Sequence, residues 1–373
     1  MKFDQLTQPF AVKSLTLAGR VVMAPMTRSH SPGNIPGADV ADYYRRRAKN
    51  KVALIITEGT VVTPAGHAYS DVPNFYGEAA LEGWKNVVEN VHAEGGKIFP
   101  QLWHAGSVRQ PGMGPDPSVP VYGPSALRHP FIEDGPPPLE MSQADIEMVI
   151  EAFATAAEQA KQIGFDGVEI HGAHGYLIDQ FFWERTNRRT DRFGGNTAAE
   201  RTRFAVELIK SVRGEVGEDF PICLRFSQWK IGDYEAKLAS TPQELEDFLI
   251  PLTEAGVDMF HCSTRRFYLP EFPDSDLNLA GWTKKITGKP VISVGSVGLD
   301  TDFISTRLSP ESSNPQGSKL TILYLQERMS RDEFDLIAVG RALLADPEWA
   351  VKVIDNRFEE INSFTVESLN TLY

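Results

Sequence analysis

The chain has 373 residues, 42% hydrophobic and 23% charged, a balance that supplies a large buried core. Its formal net charge of −13 argues against a nucleic-acid or anionic-membrane partner, and no run is long and apolar enough to span a bilayer. Two cysteines, Cys223 and Cys262, with no CxxC spacing, exclude an ordinary iron–sulfur cluster and read as buried reduced thiols rather than a disulfide or metal pair. The opening MKFDQLTQPF has no signal-peptide pattern, so a cytoplasmic protein is expected.

In chain order, residues 9–20 (PFAVKSLTLAGR) alternate apolar and polar side chains and predict a small hairpin, suited to closing the bottom of a barrel. VVMAPMTR (21–28) is a short apolar strand broken by Pro25. Residues 39–49 are helical in pattern and end in basic side chains, as a helix C-terminus favours. ALIITEG (53–59) is a second strand, and the loop 60–77 carries His67 and Tyr69. Residues 78–94 form an amphipathic helix stopped by Gly95 and Gly96. KIFPQLWH (97–104) is a third strand, although Pro100 sits where a strand centre seldom holds proline. The Pro/Gly-rich stretch 105–141 has the length of a lid or insertion leaving a strand end.

Ser142 with Asp145 opens a helix over 142–164, and 167–171 is the fourth strand. A helix near 177–184, the polar segment TNRRTDRFGGN, a helix over 197–213 and the strand ICLRFS (222–227) follow. Thr241 and Pro242 begin a helix that ends at Gly256. DMFHCS (258–263), PVISVGS (290–296) and LIAVGR (336–341) complete the strands, with helices near 279–287 and 320–331 and a polar insertion at 305–318. Eight short apolar strands alternating with helical patterns predict an α/β chain: a single (β/α)8 TIM barrel over 1–373, with an N-terminal β-hairpin and long βα loops. A doubly wound sheet is the second choice, weakened because no GxGxxG follows the first strand.

Barrels build active sites at the C-terminal ends of their strands. The fourth strand runs into GVEIHGAHGYLIDQ (167–180), where His171, His174 and Tyr176 stand among glycines that let the backbone turn. A structural hydrogen-bonding pair is the plain reading of the histidines, and a metal site lacks the HExxH arrangement. Two imidazoles beside a phenol instead suit polarising an oxygen while the phenol gives up a proton. Gly295 and Ser296 after strand seven, with Gly340 and Arg341 after strand eight, suit a phosphate held by backbone N–H groups and a guanidinium. The alternative is that these glycines only make turns. Arg225 shares a face with Cys223 by the period of two, and a buried arginine needs a partner, either Glu169 or an anionic ring. Gln101 and Trp103 share a face of strand three: the amide suits the edge of a planar heterocycle, and the indole suits a pocket wall or the core.

Six blocks, APMTR (24–28), TEG (57–59), PQLWHAG (100–106), HGAHGYLIDQF (171–181), LRFS (224–227) and VGRALLADPEW (339–349), together resemble the old yellow enzyme family of flavin-dependent ene-reductases. They occur in family order over nearly the whole chain. The resemblance implies FMN across the barrel mouth, with the backbone of Pro25 and Met26, the Thr27 hydroxyl and Gly59 along one side of the isoalloxazine. Gln101 would hold the pyrimidine edge. Arg225 would sit near N1 and O2, where a fixed cation favours the reduced ring. Gly295, Ser296, Gly340 and Arg341 would hold the phosphate; Ser296 stands where some relatives carry Asn, a change that a backbone contact survives.

The resemblance further implies that His171 and His174 bind a substrate oxygen, some relatives having Asn at the second position. Flavin N5 would pass hydride to the β-carbon of an activated alkene, and Tyr176 would protonate the α-carbon. NADPH or NADH would bind first and reduce the flavin, in a ping-pong cycle. Tyr69 and Trp103 would shape the pocket, and Phe364 and Tyr373 are candidate wall residues. The implied substrates are small α,β-unsaturated molecules, with nitro compounds or nitrate esters beside them, and the chain is expected as a monomer or homodimer. Two other readings compete. A phosphate-binding lyase or isomerase without flavin would need a Schiff-base lysine or a metal-ligand carboxylate at a strand end, where Thr, Gly, His, Arg and Ser are expected. A non-catalytic barrel leaves the convergence of three reactive groups unexplained. The loop 264–278, with Arg265, Arg266, Phe267 and Tyr268, suits either a cap over flavin or nicotinamide or a solvated face.

Overall fold

The computed structural model describes residues 3–299 and 315–373. Two strands, β1 (Phe10–Val12) and β2 (Leu15–Leu17), form the antiparallel hairpin. The barrel is closed by eight strands: β3 (Val21–Met23), β4 (Leu54–Val61), β5 (Lys97–Trp103), β8 (Val168–His174), β9 (Ile222–Lys230), β10 (Met259–Ser263), β11 (Val291–Val294) and β12 (Leu336–Val339). Each pairs in parallel with the next, and β12 returns to β3. This is the (β/α)8 barrel expected from the strand and helix alternation. No helix among the described residues is long and apolar enough to cross a membrane.

Alternation along the strands fills the interior in tiers. Val22, Leu54, Ile56, Phe99, Cys223, Met259, Ile292 and Leu336 form an apolar lower core. Phe10, Leu15 and Leu17 of the hairpin join the same cluster, so the hairpin plugs the bottom of the barrel. The opposite strand faces pack against the helices, among them Ala38–Lys49, Glu78–Ala93, Gln143–Gln162, Arg203–Val216 and Pro242–Glu254. Their ends follow local chemistry. Ser142 and Asp145 form a reciprocal capping box, and the Thr241 hydroxyl accepts from Glu244 N–H just ahead of Pro242.

Pro100 does lie inside β5 and is buried. The neighbouring β4 shifts register between Ile56 and Gly59, so a bulge stands opposite the missing N–H, and Gln101 N–H donates instead to Thr57 Oγ1 (3.1 Å). The bulge is what admits a proline to a barrel strand. Two strands run further than expected: β8 to His174 and β9 to Lys230. The expectation that no lysine stands at a strand end is therefore corrected. Lys230 is fully buried there, bonded to Asp179 Oδ1 (2.6 Å) and to the Ser227 carbonyl (3.1 Å). Within 105–141 lies a small parallel pair, β6 (Tyr122–Gly123) and β7 (Leu139–Glu140), that the sequence does not announce. The polar insertion expected at 305–318 falls outside the described residues as far as 314; from Pro315 the chain is helical to Ser330.

Candidate active site

A cavity of about 1440 Å³ opens at the C-terminal ends of the strands. Its lining includes Pro25, Met26, Thr27, Tyr69, Gln101, His171, His174, Tyr176, Arg225, Gly295, Ser296, Gly340 and Arg341. Thirteen sequence-selected positions therefore converge on one space, drawn from six strand ends and a loop. Gly59 and Trp103 stand behind that lining. A Cβ on Gly59 would meet the Trp103 ring at 3.3 Å and Gln101 Oε1 at 3.4 Å. Trp103 is buried behind the tyrosines, stacked on Tyr69 (6.0 Å) and edge-on to Tyr176 (5.1 Å). Phe364 lines the cavity, whereas Tyr373 is exposed on the surface beside Arg46.

The reactive cluster is made by a distortion of β8. Its register against β9 slips between Gly172 and His174, and His174 takes a left-handed backbone (φ 65°). The imidazoles of His171 and His174 then stand 5.2 Å apart, and the Tyr176 ring lies 5.1 Å from His171. His171 Nδ1 accepts from the Ala173 N–H (3.3 Å), which leaves the ring proton on Nε2. His174 Nε2 meets Ser263 Oγ at 2.7 Å, and Arg225 donates into the same hydroxyl at 3.3 Å. A guanidinium only donates, so Ser263 accepts from it and keeps its own proton to give; with that proton on Nε2, the His174 proton stands on Nδ1. Burial holds both imidazoles well below their usual range, helped by the Arg225 charge, so both rings are neutral donors. Burial pushes the Tyr176 phenol well above its ordinary value, with the Tyr69 hydroxyl 3.4 Å away.

Several contributors were not selected from the sequence. Trp229 lies parallel on His174 at 4.3 Å and, with Tyr234, lines the cavity. Its signal was present: 225, 227 and 229 share one face if the strand continues. Ser263 and the apolar tail residues Val366 and Leu369 also reach the cavity. Arg28 clamps that tail through the carbonyls of Leu369 (3.1 Å) and Thr371 (2.7 Å). Glu169 does not hydrogen-bond Arg225; its carboxylate is taken by Gln101 (2.7 Å) and His261 (2.6 Å), and the arginine acts on it through charge alone. In the loop 264–278, Arg265 lines the cavity while Phe267 is buried.

Fold and site together define an oxidoreductase barrel built to hold a planar, phosphate-bearing cofactor. The chain matches the model of the NADH:flavin oxidoreductase / NADH oxidase family over residues 5–308, and it belongs to that family of FMN enzymes. Putative 12-oxophytodienoate reductase 2 of Oryza sativa subsp. japonica is 41% identical over 358 residues, covering 95% of this chain and 86% of the relative. The NADH oxidase of Thermoanaerobacter brockii is 34% identical over 370 residues, covering 96% of this chain but 52% of the relative. The chain thus spans about half the length of that enzyme, and 56% of the 12-oxophytodienoate reductase 7 of rice. Among solved structures, morphinone reductase in complex with tetrahydroNAD superposes with a TM-score of 0.77 at 28% identity, covering 98% of this chain and 93% of that one. Old Yellow Enzyme from Pichia sp. AKU4542 superposes with a TM-score of 0.81 at 26% identity, covering 98% and 90%.

The residues present fit FMN. Arg225 is buried, lines the cavity together with Gln101, and has an Nε without a partner among the described residues. At the phosphate end, Gly295 adopts φ 151°, and a Cβ there would stand 2.6 Å from the Thr264 carbonyl oxygen. Ser296 donates its hydroxyl to the Arg265 carbonyl (2.8 Å) and lines the cavity beside Gly295.

Proposed function

We propose that residues 1–373 form one flavin-binding barrel domain that reduces the C=C bond of activated alkenes, with NADPH or NADH as electron donor. The observation that carries the reading is the convergence of two neutral imidazole donors and one protonated phenol on the mouth of a cavity floored by an arginine and a glutamine. Gly295, Ser296, Gly340 and Arg341 would hold the FMN phosphate, Pro25, Met26 and Thr27 the ring, and Gln101 its pyrimidine edge. Bound FMN supplies the hydride. His171 through Nε2–H and His174 through Nδ1–H bind a carbonyl or nitro oxygen and draw charge toward it. Tyr176 delivers its hydroxyl proton to the carbon α to that group, and the nearby Tyr69 hydroxyl holds the phenol in place. Trp103 backs both tyrosines, and Trp229 fixes the plane of His174.

The test is spectroscopic. The chain reconstituted with FMN should lose its flavin absorbance on anaerobic addition of NADPH or NADH and regain it on addition of a cyclic enone. A protein that binds no FMN, or a bleached flavin that an enone does not restore, overturns the reading.

A further inference from the structure

Gln101 and Arg225 rest on a second polar tier that has no face on the cavity. Glu169 Oε1 accepts from Gln101 Nε2 at 2.7 Å, and Oε2 meets His261 Nδ1 at 2.6 Å. Cys223 Sγ lies 3.7 Å from the same carboxylate. Glu169, Cys223 and His261 are all fully buried. Strand register brings them together: Gln101 pairs with Glu169, Glu169 with Cys223, and Arg225 with His261.

A barrel centre is a costly place for a carboxylate, and three groups compensate it: the His261 ring, the Arg225 charge and the Gln101 amide. Burial holds the His261 ring below its usual range, so it is neutral and spends its one N–H on Glu169, and its Nε2 has no partner among the described residues. Because a carboxylate only accepts, the Gln101 atom it meets must be the amide nitrogen. That turns Oε1 the other way, to the side where Gly59 leaves room for it. No donor among the described residues bonds that oxygen, and Gln101 lines the cavity.

We propose that Glu169, steadied by His261, is a positioning residue for the flavin ring: it makes Gln101 present an acceptor to the ring N3–H and partly offsets the Arg225 charge, which lowers the flavin potential. The inference rests on the reading of this cavity as an FMN site. The sign follows from charge. A fixed anion beneath the place where reduction adds negative charge opposes that reduction.

The experiment compares FMN with N3-methyl-FMN, which lacks the N3–H, on wild type and variants, and measures the bound-flavin midpoint potential. Wild type should prefer FMN about tenfold, the worth of one hydrogen bond in a dry site. Glu169→Gln lets the Gln101 amide turn over. It should erase most of that preference and raise the affinity ratio of reduced to oxidised flavin about tenfold, a positive shift of about 30 mV for two electrons. Gln101→Leu should erase the same preference, and the double variant should lose no more than Gln101→Leu alone. Glu169→Asp keeps the charge and should leave the potential near wild type, which a merely structural role does not require. Should Glu169→Gln fail to fold, His261→Phe carries the test: without its donor the buried carboxyl becomes neutral, and the same positive shift is expected. An unchanged potential, or an FMN preference that survives in a variant that binds FMN, overturns the inference. A wild-type chain that binds no FMN overturns the flavin reading itself.

Discussion

Tyr176 can act as an acid only while it keeps its proton, and its position guarantees that. The phenol is wedged between the Trp103 edge and the His171 ring, and burial holds its ionisation well above the ordinary value. The two histidines are displaced in the opposite direction by the same cause, so neither charges near neutral pH. Tyr176→Phe should therefore slow reoxidation of the flavin by an enone by about 10²- to 10⁴-fold while leaving reduction by NADPH or NADH nearly intact. Stopped-flow measurement of the two half-reactions separates them; equal slowing of both would remove Tyr176 from the role of proton donor. In wild type the enone step should be flat between about pH 6 and 9, because none of the three groups titrates there. These three residues were legible because they share one short strand end. Ser263 was not, because it meets His174 across 89 positions of sequence and serine carries no signal of its own.

Among the elements, β8 and β9 are where sequence reading fell short. The apolar run of β9 ends at Phe226, so the strand seemed complete at Ser227; the pairing continues to Lys230 because a buried ion pair replaces apolar packing. Asp179 from the short helix Leu177–Phe182 takes Lys230 on one oxygen and the Gly175 N–H on the other (2.7 Å). The pair thereby pins the turn that carries His174 and Tyr176. Lys230→Met should cost about 3–5 kcal/mol, because it leaves a carboxylate buried and uncompensated. Asp179→Leu combined with Lys230→Met should recover part of that loss. Denaturant unfolding of the three chains checks this, and a single variant as stable as wild type would show that Asp179 is not held by the lysine. The bulge opposite Pro100 was hidden for a related reason. Proline declares what its own strand cannot do, while the accommodation lies in β4.

Across the whole molecule, six of the eight histidines are pulled below their usual range, chiefly by burial: His67 and His129 to about 4, His104 to about 3, and His171, His174 and His261 further inside the barrel. Each is neutral in the fold, while an unfolded imidazole takes up a proton near pH 6.5. The sign follows. Below about pH 6.5 the unfolded chain binds more protons, so this part of the stability is present above that pH and drains away as pH falls. Each fully buried ring contributes up to about 1.4 kcal/mol per pH unit. Glu58 and Asp179 run the other way: burial lifts the Glu58 carboxyl to about 7 and raises that of Asp179, so their contributions are present at low pH and are lost as pH rises through the raised values. Six rings against two carboxyls predict a melting temperature that falls steadily from pH 6.5 to 4.5; a flat or rising profile would contradict it. The barrel itself was legible from periodicity, since eight strands must hide one face in the centre and the other under helices. The long loops and the C-terminal tail over the cavity were not, because nothing in their composition says which way they lie.

The hairpin that stops the lower end of the barrel bears on traffic as well as on packing. Phe10, Leu15 and Leu17 fill that end with hydrocarbon, so among the described residues the way to the floor is from the top. Under the proposed function, electron donor and acceptor would both come and go through that mouth.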